Sequence, residues 1–262
     1  MILSGKRIHP HLFFEILGYL IAFGAYFYLR RHFGDPVSNP FRWTVVAYAV
    51  AGAAFGAKLL YWLEDPKLTL QHLHDPGFLL GGKTIVGALI GGLVAVEVIK
   101  KQIGQRQSTG DLFAIPLALG ILIGRIGCFL TGLSDNTFGI ATSLPWGIDF
   151  GDGVHRHPTQ IYEILFLFLL IPVLFFVMIR INTADRLSQR SRFQSGDAFK
   201  LFMLGYLSFR FLCDAIKPYP HIALGLGSIQ WACLVVLLYY AGDTFRWLHF
   251  AGDYTSFHKR RA

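Results

Sequence analysis

The sequence predicts an all-α integral membrane protein with about seven transmembrane helices, its N-terminus outside and its C-terminus cytoplasmic. Three observations predict it. Of 262 residues, 53% are hydrophobic and only 15% charged, with a mean hydropathy of +0.47. So few charges cannot clothe a soluble domain. Apolar stretches recur at close to the roughly 20 residues that a helix needs to cross a hydrocarbon core about 30 Å thick. Lys and Arg are shared unequally between the two sides.

Seven stretches read as spans: 12–29, 43–63, 84–99, 111–131, 159–179, 198–213 and 221–241. The first follows MILSGKRIHPH, which lacks a cleavage pattern, and its apolar run is long enough to stay as an anchor. The second follows a polar, Pro-bearing connection, RRHFGDPVSNPFR (30–42). The third is short, and GKTIVGALIGG (82–92) places small residues at 87, 88, 91 and 92, a stripe suited to close helix packing. The fourth and sixth carry charges within them. The longest connection, 132–158, holds Gly, Pro, Ser, Asp and Trp, which predicts turns and a short hairpin at the interface. Residues 180–197 form a basic, polar loop, and 242–262 a tail. The whole of 1–262 reads as one polytopic membrane domain without internal repeats.

Orientation follows from the cations outside the spans, with Lys200 at the edge of the sixth counted among them. Six lie on the side of the N-terminus and fifteen on the other. The excess puts 180–197 and 242–262 in the cytoplasm and the 132–158 loop outside. The net charge of +8 does not point to nucleic acid, because the basic residues sit between apolar spans and meet anionic lipid. Cys128, Cys213 and Cys233 fall in apolar stretches with no C-x-x-C pair, so neither a disulfide framework nor a zinc site is indicated. No histidine pair has metal-ligand spacing.

Besides Lys200 at the edge of the sixth, three cations lie inside spans: Lys58, Arg125 and Arg210. Each costs about 2.5–3.5 kcal/mol at mid-bilayer on insertion scales. Glu15, Glu163 and Asp214 fall in or at the ends of spans as well. Such residues face a bundle interior or a wet cavity, or pair as internal struts; Lys58 and Asp214 can also snorkel. Arg125 sits in GRIGCFLTG, where Gly124, Gly127 and Gly132 either permit helix packing or admit a head group. A guanidinium forks naturally onto phosphate. Tyr206 and Arg210, spaced i,i+4 in YLSFR, share a helical face and can both donate to a phosphate, or Arg210 can pair with Asp214. In HPTQIYE, Gln160 and Glu163 share a face at a span's outer end.

These segments resemble the prolipoprotein diacylglyceryl transferases of bacteria. GKTIVGALIGG, GRIGCFLTG, HPTQIYE and GYLSFRF, followed by GLGSIQW, occur in the family's order and at similar spacing over most of the chain. The resemblance implies transfer of a diacylglyceryl group from phosphatidylglycerol to the lipobox cysteine thiol of a prolipoprotein, in the bacterial cytoplasmic (inner) membrane. It implies that Arg125 holds the lipid phosphate, and that Tyr206 and Arg210 are the Tyr/Arg pair near the catalytic cavity. Gly139 matches the glycine that closes the head-group loop, and Lys58 stands where the family often has arginine. Gln160 joins the head-group contacts. No cofactor or metal is required, because the lipid is activated by its own phosphodiester.

The chain departs from the family at four places. Val86 stands before Gly87 and Ala88 where the family has His. Cys128 replaces Asn in GR-x-G-N-F. Leu133 replaces an acidic residue, with Asp135 nearby, and Glu15 stands where the first span has a tyrosine. A thiol at neutral pH is only a few per cent thiolate, so the reaction needs a base or a cationic site. The candidate bases are Glu163, Glu15 and His157, in that order. Other readings of the same residues are a non-catalytic or different-acceptor relative that binds phospholipid, and a small membrane transporter.

Overall fold

The computed structural model describes residues 9–187 and 192–249, together with the backbone of 2–3 and 6–7. The cations expected at 6 and 7, and those at 186, 190 and 259–261, have side chains outside the described residues. Strands β1 (Ile2–Leu3) and β2 (Lys6–Arg7) pair antiparallel. The helices are α1 (Pro10–Phe33), α2 (Asn39–Glu64), α3 (Pro66–Gln71), α4 (Pro76–Leu80), α5 (Ile85–Gln102), α6 (Asp111–Thr131), α7 (Thr159–Leu187), α8 (Asp197–Cys213) and α9 (Ser228–Tyr239). Residues 241–249 are helical too. A helix satisfies its own backbone, which a bilayer demands of any spanning segment.

Among the described residues, four helices are long and apolar enough to cross a membrane: Pro10–Phe33, Asn39–Glu64, Asp111–Asp135 and Thr159–Ala184. Ser228–Tyr239 is apolar but shorter. All seven expected stretches are helical, with three boundaries moved. The 30–42 connection contracts because Pro40 sits in the first turn of α2, where its missing N–H costs nothing. Helix α7 runs eight residues into the expected 180–197 loop, and Asn182 there donates to the Phe33 carbonyl at the end of α1 (3.2 Å). Residues 188–191 of that loop and 250–262 of the tail lie outside the described residues. The last stretch starts late, at Ser228, because Leu224 and Gly225 take positive φ and turn the chain first.

The chain forms two compact units. The first comprises 1–35, 108–209 and 238–262. Here α1 packs on α6 and α6 on α7. Glycine sets the α1–α6 approach: a Cβ at Gly18 would stand 2.9 Å from the Gly120 carbonyl, and one at Gly127 would stand 2.8 Å from Phe14 Cβ. Gly127 therefore admits α1, whereas Gly124 faces open space. The α8 segment of this unit lies on α7, with Phe166 and Phe209 stacked at 4.6 Å. Its start is fixed by Asp111, whose carboxylate accepts from Gly196 N (2.5 Å) and Phe199 N (3.1 Å), donors that a helix N-terminus leaves without intrahelical partners. Helix 241–249 closes against α8 where Trp247 Nε1 (2.9 Å) and Arg246 Nη2 (2.5 Å) donate to Asp197.

The long connection folds largely as expected. Strands β3 (Ile148–Asp149) and β4 (His155–Arg156) make an antiparallel hairpin. Its base is laced by Gly139 N to His157 O (2.8 Å) and His157 N to Ile140 O (3.1 Å).

The second unit comprises 36–107 and 210–237. Helices α2 and α5 interlock through Gly52, Gly56, Gly87 and Gly91. A Cβ at Gly52 would meet the Gly91 carbonyl at 2.5 Å, and Cβ atoms at Gly56 and Gly87 would each collide with the other glycine's carbonyl. This is the small-residue stripe expected at 87 and 91, with its partner stripe on α2. Thr84 caps α5 by accepting from Gly87 N (3.1 Å). Val86, where the resemblance implies His, is fully buried.

Candidate active site

Helices α6, α7 and α8 each send one polar side chain into the first unit. Thr159 anchors the start of α7 by donating to the Thr137 carbonyl (2.6 Å), which places Glu163 one turn in. Glu163 is 1% exposed, and its Oε2 lies 2.9 Å from Arg125 Nε, itself on a side chain 7% exposed. The fully buried Tyr206 donates its hydroxyl to Glu163 Oε1 at 2.6 Å. One carboxylate is thus held between a guanidinium and a phenol. A buried carboxylate is tolerable only with such partners.

The polar chain continues from Arg125. Its Nη1 donates to Cys128 Sγ at 3.6 Å, and that sulfur lies 3.7 Å from His11 Nδ1. His11 Nδ1 is 2.8 Å from Asp135 Oδ1, and its Nε2 is 3.5 Å from Glu15 Oε2. Tyr19 donates to Glu15 Oε1 at 2.7 Å. A second branch reaches Asp135 from α7: Gln160 Nε2 donates to Thr137 Oγ1 (3.1 Å), and Thr137 donates to Asp135 Oδ2 (2.6 Å). The buried Gln160 Oε1 has no hydrogen-bond partner among the described residues.

Of the residues expected at the site, Arg125, Glu163 and Tyr206 therefore touch. Gln160 joins them through Thr137 and Asp135, and Gly139 lies two residues beyond Thr137 at the hairpin base. Lys58 and Arg210 belong to the second unit. Lys58 Nζ donates to the carbonyls of Leu80, Gly81 and Gly82, the last at 2.8 Å. Arg210 Nη2 donates to Asp214 Oδ1 at 2.8 Å, the strut that the i,i+4 spacing allowed. Of the other candidate bases, Glu15 stands in the chain through His11, and His157 Nδ1 lies 3.1 Å from Tyr162 Oη.

Reading the sequence missed His11 and Thr137 altogether. It also found no metal-ligand set, whereas folding brings His11, Cys128 and Asp135 to one place. Outside the spans, the hairpin carries its own electrostatics. Asp149 accepts from the amides of Gly151, Asp152 and Gly153, and these bonds hold its carboxyl below the usual carboxylate range. The fork of Arg156 does the same for Asp152.

A family model described as prolipoprotein diacylglyceryl transferase matches residues 3–244. Three similar proteins carry the name phosphatidylglycerol–prolipoprotein diacylglyceryl transferase. That of Methylobacillus flagellatus is 32% identical over 241 residues, covering 85% of this chain and 87% of the relative. That of Bordetella parapertussis is 30% identical, over 86% of this chain and 87% of the relative. That of Coxiella burnetii is 30% identical, over 87% and 84%.

Proposed function

The chain belongs to the prolipoprotein diacylglyceryl transferase family, and on that premise we propose how its own residues carry the reaction. It is a transferase of lipoprotein biosynthesis that moves the diacylglyceryl group of phosphatidylglycerol onto a prolipoprotein. The acceptor is the thiol of the lipobox cysteine. The enzyme works in the bacterial inner membrane, with seven crossings, the N-terminus outside and the 132–158 hairpin on the side where exported substrates emerge. Nucleic acid plays no part.

The observation that carries the reading is the Glu163 carboxylate held by Arg125 Nε and Tyr206 Oη. In the step, the acceptor thiol loses its proton to Glu163. Its sulfur forms a bond to the glyceryl carbon that bears the phosphate. The C–O bond to phosphate breaks, and glycerol phosphate leaves with the electron pair. Arg125 carries five N–H donors, enough to serve the carboxylate and the phosphate together. As the thiol proton arrives on Glu163, the carboxylate's hold on Arg125 weakens and the guanidinium turns to the leaving phosphate. Tyr206 keeps the carboxylate oriented. Gln160 offers head-group contacts beside Thr137, and Gly139 keeps the hairpin base closed over them. Lys58 and Arg210 are assigned on the resemblance alone.

The test uses purified protein, phosphatidylglycerol and a lipobox peptide, with diacylglyceryl addition read by mass spectrometry. Arg125→Ala abolishes addition in protein that still inserts and folds. Parent-like activity in that variant overturns the role of Arg125; absence of addition by the parent chain overturns the reading as a whole.

A further inference from the structure

We propose that His11, Cys128 and Asp135 form a binding site for a thiophilic divalent cation, with Zn2+ as its best fit. The three side chains come from the first turn of α1, the last turn of α6 and the 3-10 turn Gly132–Asp135 that follows it. One donor atom from each lies within 4.8 Å of the other two. Two of the edges are 2.8 Å, between His11 Nδ1 and Asp135 Oδ1, and 3.7 Å, between His11 Nδ1 and Cys128 Sγ. A tetrahedral zinc with bonds of about 2.0–2.3 Å requires ligand–ligand edges of about 3.4–3.6 Å. The third edge, between Cys128 Sγ and the Asp135 carboxylate, is within 4.8 Å, so shifts of about an ångström meet that requirement.

The surroundings support the metal as well as the ligands do. A ligating imidazole gives its second nitrogen to a carboxylate, which fixes its tautomer. His11 Nε2 faces Glu15 Oε2 at 3.5 Å, and Glu15 is itself held by the Tyr19 hydroxyl. The thiolate has a donor too, in Arg125 Nη1. Cys128 is buried and the Asp135 side chain only 8% exposed, whereas the His11 side chain is 32% exposed, which leaves an open side for entry and for a water as fourth ligand. Thiolate, imidazole and carboxylate together select zinc-like ions over Mg2+ or Ca2+. On binding, the Cys128 proton goes to solvent. Ligation through Nδ1 requires the imidazole proton on Nε2, where Glu15 faces it. No redox partner is needed. The site stands on its ligand geometry alone and is independent of the transferase reading.

The experiment uses the full chain without an affinity tag, purified in detergent and stripped with a chelator. It is then titrated with Zn2+ and, separately, Co2+. Elemental analysis shows one Zn2+ per chain, and the Co2+ form shows a thiolate-to-cobalt charge-transfer band. Zn2+ slows alkylation of Cys128 but leaves Cys213 and Cys233 unchanged, all three thiols being buried to begin with. Cys128→Asn and His11→Gln each abolish the band. Glu15→Gln, which keeps all three ligands, weakens Zn2+ binding about 10- to 100-fold. No retained metal, cobalt bound without the charge-transfer band, or full affinity in the folded Cys128→Asn variant overturns the proposal.

Discussion

Glu163→Gln separates the two things that Glu163 does. Glutamine keeps the side chain's size and can still accept from Tyr206. It removes the negative charge opposite Arg125 and the atom that takes the thiol proton. Both partners of the Arg125–Glu163 pair are buried, at 7% and 1% exposure. Breaking a buried pair by removing one partner costs about 3–5 kcal/mol, because the remaining charge is stranded. At about 2–4 °C per kcal/mol, the thermal midpoint in detergent falls by roughly 6–20 °C. Loss of a positioned general base costs a further factor of about 10²–10⁴ in rate. The assay is diacylglyceryl transfer to a lipobox peptide, with the rate normalised to the folded fraction. Tyr206→Phe is the control. It removes one hydrogen bond to a charged group, worth about 1.5–3 kcal/mol, and keeps the base. Its rate falls by roughly 10- to 150-fold at most, and the acid limb of its pH–rate profile survives. In Glu163→Gln that limb disappears. A folded Glu163→Gln protein within threefold of the parent rate, or one that keeps the acid limb, refutes Glu163 as the base.

Two further outcomes test the α2–α5 packing of the second unit and the hairpin of the first. Gly56→Ala drives a Cβ into the Gly87 carbonyl and to 2.8 Å from Gly91 Cα, so it lowers stability by about 1–3 kcal/mol. Gly92→Ala, whose Cβ meets its nearest atom at 3.4 Å, leaves the midpoint within a few degrees, and equal shifts for the two variants would sink the interlocking-glycine account. In the hairpin, the depressed carboxyl of Asp149 contributes order that is fully present above its ordinary value of 3.8 and is lost as pH falls through its lower folded value. Amide exchange at Gly151 and Gly153 reports this. Protection is flat from neutral pH to about 4 and then declines, whereas Asp149→Asn shows weaker protection throughout.

Helices were legible because hydropathy and charge act locally, and a helix satisfies its own backbone wherever the apolar run goes. Ends were less so. Asp111 stops being only the first residue of α6 once its carboxylate gathers the amides of Gly196 and Phe199, and a contact 85 residues away leaves no local trace. The same holds for the site. Arg125, Glu163 and Tyr206 stood out because charged and phenolic groups are costly inside spans and demand partners. Histidine near a chain's start carries no such penalty, so His11 gave no signal. Lys58 and Arg210 carried the same penalty as Arg125, yet Lys58 meets the backbone carbonyls of 80–82 and Arg210 meets Asp214 one turn away. Misplaced charge therefore identifies a residue that needs a partner, and only the fold says which partner it finds.

The departures from the family's motif take on a different meaning when read together. Cys128 in place of Asn and Leu133 in place of an acid look like two losses beside Arg125. Folding joins them. Gly132, at φ +68°, ends α6 and turns the chain into the 3-10 turn that ends at Asp135. That turn returns a carboxylate to the end of α6, within 2.8 Å of His11 and 2.6 Å of the Thr137 hydroxyl. The close α1–α6 approach at Gly127, where a Cβ would stand 3.2 Å from His11 Cα, then brings the imidazole to the thiol. An acid thus stands two residues beyond the position where the resemblance expects one, and a sulfur with an imidazole beside it stands where the resemblance expects an amide. Arg125 therefore keeps a polar neighbour on the side away from Glu163. A Cys128→Asn change should thus leave the Arg125–Glu163 pair in place and act chiefly on what the His11–Asp135 pair can hold.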